Sequence, residues 1–199
     1  MVKLVNWHKF DKEIKGKKLY LFGHREIMRL FGLSQPTATK LLHRYYQKRF
    51  ITRLKRDMYT ISDFNVPELY LANRLYAPSY ISLEFALSYH RVIPENVYEI
   101  TSVTTKATRR FRALGKNFSY RKIKREAFAG YASVRRNNIT FLIAEPEKAF
   151  VDLLYFRLRR RQKPITRFSK EKLNRARAIR YAKSFNSDKL VSIISTSLR

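Results

Sequence analysis

The sequence predicts an α+β protein made of two parts, the first over residues 1–62 and the second over residues 63–199. The first 62 residues show helical periodicity and then two short β-prone runs, whereas the later residues contain both helix-like and strand-like segments. The charge also changes at this boundary, because residues 1–62 carry 15 basic and 4 acidic residues and residues 63–100 carry 2 and 5. With 199 residues, of which 45% are hydrophobic, the chain can bury a core in each part.

Three helices are predicted in the first part. Residues 6–14 give a weak helix, and residues 23–32 give a stronger one that ends at Gly32. Ser34 is placed to cap the third helix, where its hydroxyl would accept a hydrogen bond from an unpaired backbone N–H. The third helix has apolar residues at the spacing i, i+3, i+4, i+7, namely Ala38, Leu41, Leu42 and Tyr45.

A β-hairpin is predicted next, with strands over residues 51–54 and 58–61 around a polar tip. Three helices followed by a hairpin are the element order of a winged helix-turn-helix, in which the helix after the short turn enters the major groove. Glutamine and arginine side chains can form bidentate hydrogen bonds with adenine and guanine. The predicted DNA-binding residues are the polar side chains of the third helix and the hairpin: Ser34, Gln35, Thr37, Thr39, Lys40, His43, Arg44, Arg53, Lys55 and Arg56. The alternative is that these are ordinary solvated side chains on a small helical domain.

The second part is predicted as a mixed α/β domain with C-terminal helices. After a linker, helices are expected over residues 67–76 and 82–93, the second capped by Ser82. Strands are expected over residues 97–105, 118–126, 131–136 and 139–144, with Asn137 and Asn138 as a hairpin turn. The stretch "EPEKAFVDLLYFRL" predicts a helix that is buried on several sides, and two further helices are expected over residues 171–185 and 188–198.

Three stretches of the second part carry a resemblance to a known family. They are "YISLEFALSYHRVIPENVYEITSVTTKATRRF", "FSYRKIKREAFAGY" and "AEPEKAFVDLLY", and in this order they resemble the AbiEi family of antitoxins over roughly residues 66–158. The resemblance implies the antitoxin of an abortive-infection, type IV toxin–antitoxin pair that acts in phage defence. Arg91 stands where the family pattern has glycine, and Glu145 stands where a small or hydroxyl residue precedes "PEKA".

The resemblance also implies partners. Its N-terminal winged helix would bind double-stranded DNA at inverted repeats in the promoter of its own operon. Its second domain would neutralise a nucleotidyltransferase-like toxin, without forming a stable complex with it.

A second basic patch is predicted in the second part. The net charge of the whole chain is +28, which attracts polyanions, and residues 101–140 carry 11 basic residues and 1 acidic residue. Two interpretations remain open: a surface that tracks phosphates and extends the DNA footprint or binds RNA, or a sheet edge protected from aggregation by its charges. The residues are Lys106, Arg109, Arg110, Arg112, Arg121, Lys122, Lys124 and Arg125.

Other classes of function find little support. The sequence has no phosphate-binding glycine loop, no nucleophile elbow and no zinc-protease motif, so we predict neither an enzyme nor a cofactor. It has no cysteine, and its 4 histidines lack ligand-like spacing, so we predict no metal site. Asp152, alone in an apolar helix, is interpreted as a structural carboxylate paired with a nearby arginine. With no long apolar run, we expect a soluble, cytoplasmic protein that does not bind membranes.

The prediction is therefore a DNA-binding transcriptional repressor that is the antitoxin of a type IV pair. Two alternatives stay open. One is a protein that binds RNA or other nucleic acid without sequence preference, and the other is a winged-helix regulator without a toxin.

Overall fold

The computed structural model describes residues 5–199 and shows an α+β protein. This part of the chain contains eight α-helices, two short 3-10 helices and two β-sheets. It divides into two compact units, of which the first ends at Pro67 and the second spans Glu68–Arg199. The sequence placed this boundary after residue 62.

The first unit consists of three helices and a hairpin. Its elements are α1 (Trp7–Gly16), α2 (His24–Phe31), α3 (Gln35–Gln47), β1 (Ile51–Lys55) and β2 (Met58–Ile61). The strands pair antiparallel, with Ile51 opposite Ile61 and Lys55 opposite Met58. The three helices and the hairpin that the sequence predicted are therefore confirmed as elements.

Aromatic side chains fill the core of this unit. Phe10 is fully buried, and its ring centroid lies 5.4 Å from that of Phe31 and 5.0 Å from that of Tyr45. The hairpin is fixed to the helices by the backbone as well, because Phe22 and Tyr59 exchange two hydrogen bonds of 3.0 and 2.8 Å. This packing fixes α3 with its apolar side inward.

The second unit is built on a six-stranded mixed sheet in the order β5-β6-β4-β3-β8-β7. Its strands are β3 (Ser79–Ile81), β4 (Ile100–Thr104), β5 (Arg109–Ala113), β6 (Lys116–Lys122), β7 (Tyr131–Arg136) and β8 (Ile139–Ala144). Its helices are α4 (Glu68–Leu75), α5 (Leu83–Tyr89), α6 (Pro146–Arg159), α7 (Arg175–Lys183) and α8 (Asp188–Ser197). The β4–β6 and β3–β8 pairs are parallel, and the other pairs are antiparallel.

Helices cover both faces of this sheet. Tyr120 on β6 donates a hydrogen bond of 2.6 Å to the carbonyl of Ala72 in α4. Tyr80 on β3 points to the other face, where its hydroxyl donates to Asp152 of α6. Beyond α6 lie α7 and α8, which both pack against it. The helix α6 is therefore enclosed, as its nearly continuous apolar sequence predicted.

Several predicted elements differ in extent from those observed. Two strands were missed: β3, whose three residues are too short to show alternation, and β5, whose arginines were predicted only as part of the basic patch. The strand predicted over residues 118–126 ends at Lys122 and is replaced by a 3-10 helix at Arg125–Ala127. The interpretation of the charges as protecting a sheet edge does not apply to this strand, because β6 is second from the edge and paired on both sides. Its middle residues are buried, and its charges lie near its ends.

Turn residues follow their sequence signals more closely. Asn137 and Asn138 have φ angles of 50° and 61°, and they form the predicted two-residue hairpin turn between β7 and β8. Arg91, where the family pattern has glycine, has a φ of 56°. This left-handed conformation is one that glycine adopts more readily than arginine does.

Candidate nucleic-acid interface

The exposed side of α3 carries a row of polar side chains opposite its buried apolar residues. Lys40, His43 and Gln47 are exposed and follow one another at the spacing i, i+3, i+7. Gln47 Nε2 lies 3.5 Å from His43 Nε2, and Lys40 has no hydrogen-bond or ion-pair partner within residues 5–199. Tyr46 beside them is 46% exposed, which is unusual for so large a side chain. We call Lys40, His43, Tyr46 and Gln47 the α3 surface.

The first turn of α3 is held by local hydrogen bonds. Ser34 is the N-cap residue of α3, as predicted, but the expected cap hydrogen bond is not formed: its hydroxyl lies 2.8 Å from the hydroxyl of Thr37 and accepts no backbone N–H. Thr39 donates to the carbonyl of Gln35, 2.9 Å away, so its hydroxyl is committed within the helix. The side chain of Gln35 is exposed at the start of the helix.

Arg44 lies at the flank of α3. Its Nη2 donates a hydrogen bond of 3.2 Å to the carbonyl of Val5, and its guanidinium lies 5.2 Å from the ring centroid of Tyr45. Tyr45 donates to the same carbonyl through its hydroxyl at 2.8 Å. These contacts hold Arg44 against the segment before α1, so the side chains free to contact a ligand are those of the α3 surface.

The tip of the hairpin is tied to the start of α2. The backbone N–H of His24 donates to Asp57 Oδ1 at 2.8 Å, and the His24 ring contacts the same oxygen. Burial of the Asp57 carboxyl acts to raise its pKa, but these contacts with His24 outweigh it and hold the pKa below its usual value. A carboxylate at a helix N-terminus is also favoured by the helix dipole.

This tie orients the basic residues of the hairpin. Arg56 is exposed in the turn, and Arg53 is exposed on β1, where its Nε donates to the Lys55 carbonyl at 3.4 Å. Lys55 is half-buried at the end of the strand. The α3 surface and the hairpin tip are thus two separate exposed features of the first unit.

The second basic patch does not form one surface. Lys106 and Arg109 lie on the α4 side of the sheet, where both cations lie over the ring of Tyr76 at 5.6 and 5.5 Å. Arg110 and Arg112 are exposed on β5, the edge strand. There the interpretation as a charge-protected sheet edge fits the geometry.

The remaining members of the patch lie on the side of α6, the side to which Arg110 also points, since it pairs with Ser119 and not with Tyr120. Arg125 is exposed in the 3-10 helix. Arg121, Lys122 and Lys124 line a cleft together with two arginines that the sequence analysis did not include, Arg159 and Arg160 at the end of α6. The basic residues within 157–161 were the signal that could have identified them, but nothing in the sequence places the end of α6 beside β6.

The carboxyl of Asp152 is the centre of a buried network. Its Oδ2 accepts hydrogen bonds from the hydroxyls of Tyr80 at 3.0 Å and Ser82 at 2.8 Å, and its Oδ1 is paired with Lys148. The predicted arginine partner is therefore wrong. Ser82 is the N-cap residue of α5, as predicted, but its hydroxyl donates to Asp152 and makes no cap hydrogen bond.

Solvent has no access to this network. The side chains of Asp152 and Lys148 are 0% and 1% exposed. Burial raises the pKa of the Asp152 carboxyl and lowers that of the Lys148 ammonium, because both charged forms lose their hydration. The network is thus closed to solvent, and its geometry is that of a structural contact.

The three stretches that resemble the AbiEi family meet at this network. Tyr80 comes from the first stretch, and its ring lies 5.0 Å from that of Phe128 and 4.6 Å from that of Tyr131 in the second. Lys148 and Asp152 come from the third. The shared motif residues are therefore packing residues of the sheet and α6.

The other acids of α6 are also engaged. Glu145, which does not cap the helix, accepts a hydrogen bond of 2.7 Å from the Tyr181 hydroxyl. Glu147 accepts one of 2.9 Å from the backbone N–H of Asn174. Across residues 5–199, no three histidine, aspartate or glutamate side chains come together as metal ligands, and no helix is long and apolar enough to span a bilayer.

Comparison with known proteins assigns no family, because no family model matches the chain and no curated protein matches it.

Proposed function

We propose that this chain is a sequence-specific DNA-binding repressor that acts as the antitoxin of a type IV toxin–antitoxin pair and represses its own operon. The observation that carries the DNA-binding part is the α3 surface. It lies on the helix that follows a short turn, in a unit whose element order is that of a winged helix-turn-helix.

The chemistry of this surface supports major-groove binding. Gln47 has both a donor and an acceptor, as adenine recognition requires, and Lys40 supplies a positive charge without a competing partner among the described residues. The hairpin adds Arg56 at its tip, where a wing would meet the phosphate backbone. Because Asp57 fixes this tip to α2, the wing and the α3 surface keep a constant spacing within the unit.

The antitoxin part rests on the resemblance to the AbiEi family. It is supported by the way that the three motif stretches pack together around Asp152, since residues that a family shares for its fold are expected to meet in the core. Under this proposal the second unit neutralises a nucleotidyltransferase-like toxin, and the partner DNA is an inverted repeat upstream of the operon. The protein acts in the cytoplasm and has no catalytic role.

The DNA-binding part is tested with the variant Lys40→Ala and the matched control Lys12→Ala. Lys12 is exposed on α1, away from the α3 surface, and its loss changes the charge of the first unit by the same amount. We expect Lys40→Ala to weaken binding to the upstream duplex by about 1–3 kcal/mol, and Lys12→Ala to change it by less than about 0.5 kcal/mol. Titration of each variant against upstream and scrambled duplexes at physiological salt measures this difference.

Equal affinity of the full chain for the upstream and scrambled duplexes would refute sequence-specific repression. The antitoxin part is tested by inducing the neighbouring gene alone and together with this chain. Growth arrest that this chain relieves supports it, and arrest without relief, or no arrest, contradicts it.

A further inference from the structure

The second unit contains a cationic cleft that lies on neither the α3 surface nor the hairpin. Three elements form it: the end of β6 with the residues after it, the C-terminal turn of α6, and the connection between α7 and α8. Its volume is about 940 Å³, and five of its lining residues are cations, namely Arg121, Lys122, Lys124, Arg159 and Arg160. None of the residues that line it is acidic.

The cations are held by aromatic rings and carbonyls, so their positive charge is not cancelled. Arg121 lies over the ring of Phe156 at 5.5 Å, and Arg159 lies over that of Tyr155 at 5.7 Å. Lys124 donates to the carbonyl of Phe185 at 3.2 Å. Within residues 5–199 none of the five cations forms an ion pair.

Arg121 shows the electrostatic consequence. Its side chain is half-buried, and this burial lowers the pKa of its guanidinium. Glu84 and Glu99 act to raise the pKa, while the neighbouring Arg160 and Arg110 act to lower it. The main cause of the lowered pKa is the lost hydration of the guanidinium, so a bound anion would stabilise this half-buried charge.

The shape and lining of the cleft favour one class of anion. The rings of Tyr155 and Phe156 are 8% exposed and Phe185 is 1% exposed, so little ring surface is left for a base to stack on. The cleft offers five cations and no acid over a volume of about 940 Å³, which is more room than a single phosphate needs. A ligand that suits this cleft offers several phosphates along one narrow chain.

We propose that this cleft binds the phosphate backbone of single-stranded nucleic acid without reading its sequence. A cationic groove that tracks the backbone is the usual means of such binding. The proposal does not depend on the repressor function, because the cleft and the α3 surface share no residue.

The test compares two pairs of adjacent, exposed arginines in the full-length chain. Arg159→Gln/Arg160→Gln removes two cations from the cleft, and Arg135→Gln/Arg136→Gln removes two from β7, which is the opposite edge strand of the same sheet. Arg121 is not used, since it is half-buried, whereas Arg159 and Arg160 are exposed and their loss should disturb the packing less. Matching thermal unfolding of both variants and the parent chain checks that each is folded.

Binding is measured by fluorescence anisotropy of labelled oligouridine RNA and oligothymidine DNA of about ten nucleotides. On single strands each phosphate contact contributes a salt slope of about 0.7, which is about fourfold in affinity at about 0.15 M salt. We expect the cleft variant to lose about fifteenfold and to show a slope shallower by about 1.4, and the β7 variant to lose less than about twofold. A ratio of RNA to DNA affinity that differs from one identifies which strand the cleft prefers.

Two outcomes would overturn the proposal. Equal losses in the two variants mean that the net charge of the chain, and not the cleft, binds the strand. If ATP displaces the labelled strand at a lower total phosphate concentration than an unlabelled oligonucleotide does, the ligand is a free nucleotide. Lys40→Ala should leave single-strand binding unchanged, so failure of the cleft is distinguishable from failure of the α3 surface.

Discussion

Replacing Asp152 with alanine should destabilise the second unit strongly and leave the first unit intact. In the structure the carboxylate accepts hydrogen bonds from the Tyr80 and Ser82 hydroxyls and neutralises Lys148. Alanine removes all of these contacts at once. Because solvent does not reach the network, the donors that remain would have no replacement partner.

The magnitude follows from the burial. Removing one member of a buried ion pair costs about 3–5 kcal/mol, because the other charge stays buried without a partner. A domain is stable by about 5–15 kcal/mol, so the loss is a fifth or more of a typical total. The double variant Lys148→Met/Asp152→Ala removes the stranded charge as well. It should therefore be more stable than Asp152→Ala by about 1–3 kcal/mol.

The chain offers a built-in assay that separates the two units. It has 1 tryptophan, Trp7, which lies in α1 against Tyr45 and Phe50 in the core of the first unit. In urea, tryptophan fluorescence therefore reports the first unit, and far-UV circular dichroism reports both. We expect Asp152→Ala to lower the midpoint of the dichroism transition that belongs to the second unit, with the fluorescence transition unchanged. A loss below about 1 kcal/mol, or a double variant less stable than the single one, would refute this account of the network.

Two further predictions concern one charged residue, Asp57, and one glycine, Gly130. The pKa of Asp57 is lower in the folded state than its unfolded value near 4. The ionised Asp57 carboxyl therefore stabilises the folded first unit above the unfolded pKa, and this stabilisation is lost as the pH falls through the folded pKa. The urea midpoint, measured by tryptophan fluorescence, should drop at acid pH in the parent chain. It should drop less in Asp57→Asn. Gly130 has a φ of 76°, and a Cβ there would lie 2.7 Å from the Tyr181 ring, so Gly130→Ala should cost about 2–4 kcal/mol. Gly115→Ala is the matched control, since its φ is 74° but nothing lies within 4 Å, and a similar loss at both positions would contradict the role of the clash.

Local signals in the sequence were sufficient to predict an element where residues close together in the chain determine its structure. The period of α3 follows from its apolar spacing, and the β7–β8 turn follows from Asn137 and Asn138. The length of β6 could not be read in this way. Its last residues alternate in sequence as a strand would, but the paired register with β4 ends at Lys122, and residues 125–127 turn into a 3-10 helix.

Partners that come from distant parts of the chain were the harder problem. The cation beside Asp152 is an exception, because Lys148 lies four residues before it on α6, and this i,i+4 spacing was a local signal that the prediction of an arginine overlooked. The hydroxyl of Ser82 was expected at a helix cap because that role is local. It instead lies 70 positions from its acceptor in sequence, a contact that depends on how β3 and α6 pack.

The large positive charge of this chain is best understood as several separate features. Arg110 and Arg112 lie on an exposed edge strand, where charge opposes strand-to-strand association. Lys40 lies on a helix face without a partner among the described residues, and Arg121 lies in a cleft whose lining is free of acids. These roles differ in how strongly salt affects nucleic-acid affinity. Phosphate contacts release counterions on binding, so their contribution falls as salt rises, whereas edge protection releases none. Salt titrations of single variants can therefore assign the charge residue by residue, which the net charge alone cannot do.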